Sequence, residues 1–139
     1  MSNDVENSVE KDMQSCKITI TTAVDGRETE FSCQGELVLS ARKAILRYRQ
    51  EEASIELCLD GQSAKIEREG DYSLSFCLQS GMETKGKLGF GCNDGEMNVF
   101  THRVAYSIGK DSLLASLHYD LLFGEERQEM KLRILARYI

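Results

Sequence analysis

Residues 112–135 read SLLASLHYDLLFGEERQEMKLRIL, and apolar side chains alternate with polar ones on both sides of a central glycine. Alternation with a period of two is typical of a β-strand that has one buried face. If Gly124 and Glu125 form a two-residue turn, with glycine first as a type II′ turn prefers, the apolar residues of the two halves face each other. The resulting pairs are Tyr119 with Met130, Leu117 with Leu132, and Ala115 with Ile134. The stretch therefore predicts an antiparallel hairpin whose charged side chains point to water.

The preceding hairpin sets the faces on which the two histidines lie. A turn at Lys110 and Asp111 gives apolar-rich pairs throughout, namely Ile108 with Leu113, Tyr106 with Ala115, Val104 with Leu117, His102 with Tyr119, and Phe100 with Leu121. A shift of one residue would place His102 beside His118, as in a metal site, but it would align the apolar set with polar partners. The first register buries more apolar surface. We therefore expect the histidines on opposite faces, with His118 exposed and no metal bound.

The same period of two runs from Cys16 almost to the end of the chain. Asp25 with Gly26 predicts a turn between the first two strands. Apolar residues keep one parity across Gly70, so residues 63–79 are interpreted as one long strand bent at that glycine. Strand segments follow one another with no convincing helical pattern between them.

A meander of antiparallel strands with one apolar face must cover that face. With no helix available, the sheet can close on itself into a barrel whose interior holds side chains or one small ligand. The chain contains no proline, which is consistent with strands whose N–H groups are all paired. We predict an all-β fold, a single closed antiparallel up-and-down barrel of about 8–10 strands. A two-sheet sandwich is the alternative.

Composition limits the domain organisation and the partners. A chain of 139 residues predicts one domain. The net charge of −6, with basic residues scattered singly, argues against nucleic acid or a membrane as a partner. Residues 1–14 lack periodicity and predict a disordered tail ahead of a barrel domain at 15–139. A secretory leader and an apolar run of ~20 residues are both missing, so a cytoplasmic location is expected.

The cysteines fit that compartment. Their number is odd and no C-x-x-C spacing occurs among Cys16, Cys33, Cys58, Cys77 and Cys92. A disulfide framework or a zinc site would need closer pairs. We expect reduced, mostly structural thiols and no cofactor.

Several runs, taken together, resemble a known family. They are AKIEREGDYSL at 64–74, Phe76, GEMNV at 95–99, GEL at 35–37, LRY at 46–48 and the stretch at 112–135. In combination they resemble the YwiB-like family of small bacterial proteins. The resemblance implies a calycin-like β-barrel, related in architecture to lipocalins, in a family described as a domain of unknown function. Two departures are Gln50, where an acidic residue is expected, and Asn93–Asp94, which replace a bulkier turn.

Arg68 stands in line with the inward-facing apolar residues of its strand. A guanidinium stays charged, so inside a barrel it must be paired or solvated. It could brace the fold, reach the barrel rim, or await an anionic ligand that it would grip with two hydrogen bonds. Lipocalin-like barrels that bind fatty acids use internal arginines with a tyrosine in this last way. The tyrosines that share the predicted inward parity are Tyr48, Tyr72, Tyr106 and Tyr119.

Two further residues are weaker candidates. His102 could be a pocket donor or an acid–base group, or simply a core histidine bonded to a neighbour. Thr84 could line the cavity or be an ordinary strand residue. The glycine-rich run at 85–95, KGKLGFGCNDG, has no phosphate-cradle spacing and no following helix. The sequence nominates no catalytic residue, which lowers the odds of an enzyme without excluding one.

Two functions of different classes follow. The first is a non-enzymatic binder of a small anionic, partly apolar ligand in the barrel interior. Arg68 and a tyrosine would hold its head, and its tail would pack on Leu74, Phe76, Phe90, Phe100 and Leu117. The alternative is a protein-interaction or structural module with a side-chain-filled barrel, which could be a homodimer. A cavity below the ~300 Å³ typical of ligand pockets would favour this alternative. A hydrolase or isomerase that uses His102 is a third, weaker hypothesis.

Overall fold

The computed structural model describes residues 13–139, which form ten β-strands and no helix. The strands are β1 (Gln14–Val24), β2 (Arg27–Leu39), β3 (Lys43–Gln50), β4 (Ala53–Asp60), β5 (Ser63–Glu69), β6 (Ser73–Gln79), β7 (Glu83–Phe90), β8 (Asn93–Ile108), β9 (Ser112–Phe123) and β10 (Glu126–Tyr138). Almost all of the predicted tail lies outside the described residues, and Gln14 already belongs to β1. None of the described residues lies in a helix long and apolar enough to cross a membrane.

The strands close into one antiparallel barrel in which each strand pairs with its neighbours along the chain. The seam is made by the first and the last strand, which pair from Cys16 opposite Tyr138 to Val24 opposite Met130. The prediction of a closed up-and-down barrel is confirmed, and the sandwich alternative is wrong.

Tight turns set the register of two hairpins that the sequence predicted. Asp25 and Gly26 both have a left-handed backbone, with φ of 50° and 86°, as both central residues of a type I′ turn must. Gly124 has a φ of 61°, as the first central residue of a type II′ turn needs. The β9–β10 pairing is the expected one, with Leu117 opposite Leu132. Both hairpin predictions are confirmed.

A hairpin, and not a bent strand, occupies residues 63–79. β5 ends at Glu69, β6 begins at Ser73, and the two strands pair with Arg68 opposite Leu74. Even-numbered residues pair with even-numbered ones across this hairpin, so the apolar set lies on one face as it would in a continuous strand. The prediction of one long strand is therefore wrong, although the shared face that it assigned is correct.

The β8–β9 pairing contains a β-bulge at His102. Between the turn and the bulge the register is the expected one, with Ile108 opposite Leu113, Tyr106 opposite Ala115, and Val104 opposite Leu117. Beyond the bulge, Thr101 and not His102 lies opposite Tyr119, and Phe100 lies opposite Asp120. One extra residue in a strand reverses the facing of everything beyond it. His102 and Phe100 consequently face outward.

The interior of the barrel is an apolar core. Its largest fully buried side chains include Ile18, Leu37, Leu46, Leu59, Leu78, Leu113 and Leu117. Each such side chain contributes roughly 1.5–3 kcal/mol through removal from water. The five cysteines are free thiols; Cys16 is fully buried, whereas Cys77 and Cys92 are exposed. Most of the barrel is therefore filled by its own side chains.

Candidate functional site

A cavity of about 250 Å³ remains inside the barrel, toward the end where β5 turns into β6. Its polar lining consists of Thr22, Thr29, Tyr48, Gln50, Arg68, Tyr72 and Tyr119, and the rest of its wall is apolar. Larger depressions, of about 440 and 530 Å³, are open grooves on the outer surface that are lined largely by polar and charged side chains. The inner cavity is smaller than the ~300 Å³ typical of ligand pockets. By the volume criterion stated above, this cavity favours the interaction or structural module with a side-chain-filled barrel, and it leaves room only for a compact ligand.

Arg68 faces this cavity from the end of β5, and its side chain is 20% exposed. Its Nη1 donates to the Tyr72 carbonyl at 2.7 Å, and its Nη2 donates to Asp71 Oδ1 at 2.9 Å. The guanidinium also lies 3.6 Å from the centre of the Tyr72 ring, a cation–π contact. Asp71 is 80% exposed, and the hydrogen bond from Arg68 lowers the pKa of its carboxyl. The arginine is thus held at the cavity mouth by an acid that lies in solvent.

Tyr48 and Tyr119 line the same cavity from β3 and β9. Burial raises the pKa of Tyr48 to about 12, and it raises the pKa of Tyr119 as well. Both hydroxyls therefore stay protonated at neutral pH and can donate hydrogen bonds. Neither hydroxyl forms a hydrogen bond with a described residue. The cavity thus contains two polar groups that are available to a ligand.

Other predicted site residues lie elsewhere. The Tyr106 hydroxyl accepts a hydrogen bond from the Gly61 N–H and donates to the Arg42 carbonyl, so it closes the opposite end of the barrel. The Thr84 hydroxyl donates to the Cys77 carbonyl. The structure brings neither side chain into the cavity.

The expected wall for an apolar tail is also altered. Leu74 and Phe76 line the cavity as expected. Phe90 is 55% exposed and packs on the Tyr72 ring at 5.5 Å between centroids, so it lies at the rim. Phe100 faces outward, beyond the β8 bulge. The tail contacts predicted for these two phenylalanines are therefore wrong.

The histidines form a second cluster, on the outer face of the barrel. His102 Nε2 lies 2.8 Å from Asp120 Oδ2, and His118 Nε2 lies 3.1 Å from Glu129 Oε2. The two imidazole rings stack with their centroids 4.3 Å apart. The prediction that the histidines lie on opposite faces is wrong, because the bulge turns His102 outward, and His118 is half-buried rather than exposed.

A signal for this arrangement is present in the sequence. Val99 and Thr101 belong to an inward set of odd number, whereas Val104 and Tyr106 belong to an inward set of even number. The change of parity must fall between them, and an inserted residue accounts for it. An interpretation that gave Val99 and Val104 more weight than the large Phe100 would have located the bulge.

The fold places the protein in the class of closed ten-stranded antiparallel β-barrels. A family model described as "Domain of unknown function (DUF1934)" matches residues 14–134, and the chain belongs to that family. Among solved structures, the ywiB protein from Bacillus subtilis is similar to this chain with a TM-score of 0.80 at 16% sequence identity. That similarity covers 94% of this chain and 97% of the other. No curated protein matches the chain significantly. The YwiB-like resemblance is confirmed.

Proposed function

We propose that the protein is a non-enzymatic binder of a compact anionic molecule, which it takes into the cavity at the Arg68 end of the barrel. The observation that carries this proposal is that Arg68, Tyr48 and Tyr119 all line one cavity. Buried tyrosine hydroxyls usually have a hydrogen-bond partner. Because burial keeps both tyrosines protonated, each hydroxyl can donate a hydrogen bond to the anion of a ligand.

The charge of Arg68 can pass to a ligand because its present acid partner is exposed. Ion pairs in water are weak, so the contact with Asp71 can be replaced. A carboxylate or phosphate inside the cavity would meet the same guanidinium with less water around it, where charge-assisted hydrogen bonds are strong. The anion of the ligand would thus replace the Asp71 carboxylate.

The volume limits the ligand to a compact molecule. An apolar protein cavity of roughly 150 Å³ is known to hold benzene. The cavity of about 250 Å³ therefore has room for roughly ten non-hydrogen atoms. A small aromatic or branched carboxylate fits that limit and the apolar wall, whereas a fatty acid with a long chain does not. The five free thiols suit a reducing compartment, so the proposed location is the cytoplasm.

The alternative function is a protein-interaction module that pairs with a second copy of itself as a homodimer. The small cavity favours it, and so do two exposed leucines on the outer face. Leu114 is 57% exposed and Leu135 is 44% exposed. They lie opposite each other on β9 and β10. A concentration-dependent dimer, measured by analytical ultracentrifugation and lost in Leu114→Asp, would support this function.

The test of ligand binding uses benzoate, with neutral benzamide as the matched ligand, followed by calorimetry and by ligand-observed NMR. We expect benzoate to bind the wild type and benzamide to bind far more weakly, because only benzoate offers an anion to Arg68. Arg68→Leu and Tyr48→Phe should weaken benzoate binding. Asp71→Asn should strengthen it, because it removes the competing acid. Arg49→Leu, which changes an exposed arginine that bonds Ser54, is the matched control and should bind as the wild type does.

Thermal unfolding of each variant separates binding from folding. Tyr48→Phe removes one hydroxyl without leaving a cavity, so it keeps the test informative even where Arg68→Leu loses its fold. The proposal is contradicted if benzoate does not bind the wild type. It is also contradicted if benzoate binds Arg68→Leu and Tyr48→Phe as tightly as it binds the wild type.

A further inference from the structure

We propose that His102, His118 and Asp120 form a binding site for a divalent transition-metal ion, with zinc as the best match, on the outer face of the barrel. One potential ligand atom from each of these residues lies within 4.8 Å of the others. The site is separate from the inner cavity and does not depend on the function proposed for that cavity.

The backbone places these three side chains together. His118 and Asp120 are two residues apart on β9, so their side chains leave the sheet on the same face. The bulge on the neighbouring strand adds His102 to that face. All three residues lie on paired strands, and sites on strands hold their ligands more precisely than sites on loops.

The burial of Asp120 is unusual for a carboxylate on the outer face of a barrel. Its side chain is only 3% exposed, although it lies on the outward face of β9. A carboxylate is costly to bury unless it is paired. Its present partners are His102 at 2.8 Å and Arg127, whose Nε lies 3.4 Å from the same oxygen. A metal ion would neutralise the carboxylate more fully than these two partners do.

The donor set indicates the kind of metal. Two imidazoles and one carboxylate suit zinc, which takes three protein ligands and a water in its open sites. Magnesium and calcium prefer oxygen ligands only. Tetrahedral zinc with bonds of ~2.0–2.1 Å needs its ligand atoms ~3.3 Å apart. The ligand atoms, which lie within 4.8 Å of one another, must therefore close to that spacing, and the 37% exposed side chain of His102 is the one with solvent beside it to allow the adjustment.

The charges around the cluster determine how tightly it binds a cation. Glu129 bonds His118 and adds a second negative charge. Arg103 and Lys131 lie opposite His118 on the two neighbouring strands, and their positive charges repel a cation bound at the cluster. Arg127 competes directly with a metal for Asp120, but its side chain is 62% exposed and can move into solvent. Removal of the charge of Arg127 should therefore tighten metal binding.

The experiment uses the full chain, stripped of metal with a chelator, in a Cys77→Ser, Cys92→Ser background. Cys77 and Cys92 are the exposed thiols and would bind zinc themselves. Zinc is titrated by calorimetry, and cobalt(II) is titrated by visible absorption, which reports a tetrahedral site. The chain has only two histidines. Imidazole NMR signals therefore report this cluster and no other.

We expect one equivalent of zinc, shifts of both imidazole signals, and a rise in the unfolding temperature with added metal. His102→Gln and His118→Gln should each weaken binding by at least ~100-fold. Arg127→Gln should tighten binding several-fold, and Asp71→Asn, a distant exposed carboxyl, should leave it unchanged. A protein that binds no zinc in the cysteine-substituted background overturns the proposal. Binding that survives His102→Gln and His118→Gln, or that Arg127→Gln fails to tighten, overturns it as well.

Discussion

Gly35 provides a sharp test of the packing inside the barrel. It lies on β2, opposite Cys16 on β1 and Tyr48 on β3. A Cβ at this position would overlap the Arg47 carbonyl oxygen, lie 2.6 Å from Ile18 Cδ1 and lie 3.1 Å from Tyr48 Cβ. The first of these neighbours is backbone in the β3 strand, so it cannot rotate away. Gly35→Ala must therefore push β2 and β3 apart.

The cost follows from that displacement. Overpacking of a filled core costs ~1–3 kcal/mol. The loss of one hydrogen bond from the β2–β3 pairing adds about 1 kcal/mol. We expect Gly35→Ala to lower the free energy of unfolding by about 2–4 kcal/mol, which corresponds to roughly 10 °C in Tm for a domain of this size.

Gly95→Ala is the matched control, because Gly95 is also a strand glycine. The nearest atom to a Cβ there is the Leu88 carbonyl oxygen, at 3.9 Å, which is an ordinary contact. This variant should change stability by less than ~1 kcal/mol, and a small gain is allowed because alanine restricts the unfolded chain. Urea unfolding of both variants measures the difference. Equal stability of Gly35→Ala and Gly95→Ala would refute the reasoning.

Three further predictions concern buried groups. The hydroxyl of Thr101 is fully buried and bonds no described residue, so Thr101→Val should be neutral or should stabilise the protein by about 1 kcal/mol in urea unfolding; a clear loss would reveal a partner for the hydroxyl. Burial raises the pKa of Tyr48 from 10.0 to about 12, so its contribution to stability is complete below pH 10 and is lost as the pH rises toward 12, at roughly 1.4 kcal/mol per pH unit. Unfolding measured across that range should show a shallower decline in Tyr48→Phe, and an identical decline contradicts the assignment. Cys16 is fully buried, and burial raises the pKa of its thiol to about 11, so iodoacetamide should modify Cys77 and Cys92 first and Cys16 only on unfolding, as mass spectrometry of the peptides will show.

The sequence predicts which residues face inward because side-chain direction alternates strictly along a strand. The pairing of β9 with β10 follows from this rule, since a turn at Gly124 leaves one register that buries both apolar sets. The same rule cannot distinguish a hairpin from a bent strand at Gly70, because both arrangements keep even-numbered residues on one face. Whether a residue number is odd or even indicates the face on which its side chain lies, but it does not indicate where the chain turns.

The candidate sites were harder to predict than the fold. The inward position of Arg68 follows from parity, but its partner Asp71 depends on a loop conformation that no alternation reports. The histidine cluster depends on one inserted residue in β8. The sequence pattern alone favours the regular register, because that register would bury the large side chain of Phe100. The structure shows that Phe100 instead packs edge-on against His102 at 5.0 Å between ring centres, outside the barrel. A large apolar side chain can pack against neighbours on the outer surface, so its size alone does not predict whether it points into the barrel.

The seam between β1 and β10 has a consequence for how the chain is made. β1 is synthesised before β10 and cannot complete its pairing until β10 has left the ribosome, since Cys16 pairs with Tyr138. Until then the growing sheet has two open edges, each able to recruit a strand from another nascent chain. Contacts between residues so distant in sequence also form slowly. The contact that leaves the finished barrel without a free edge therefore forms last, and until it forms the newly synthesised sheet remains exposed to edge-to-edge association.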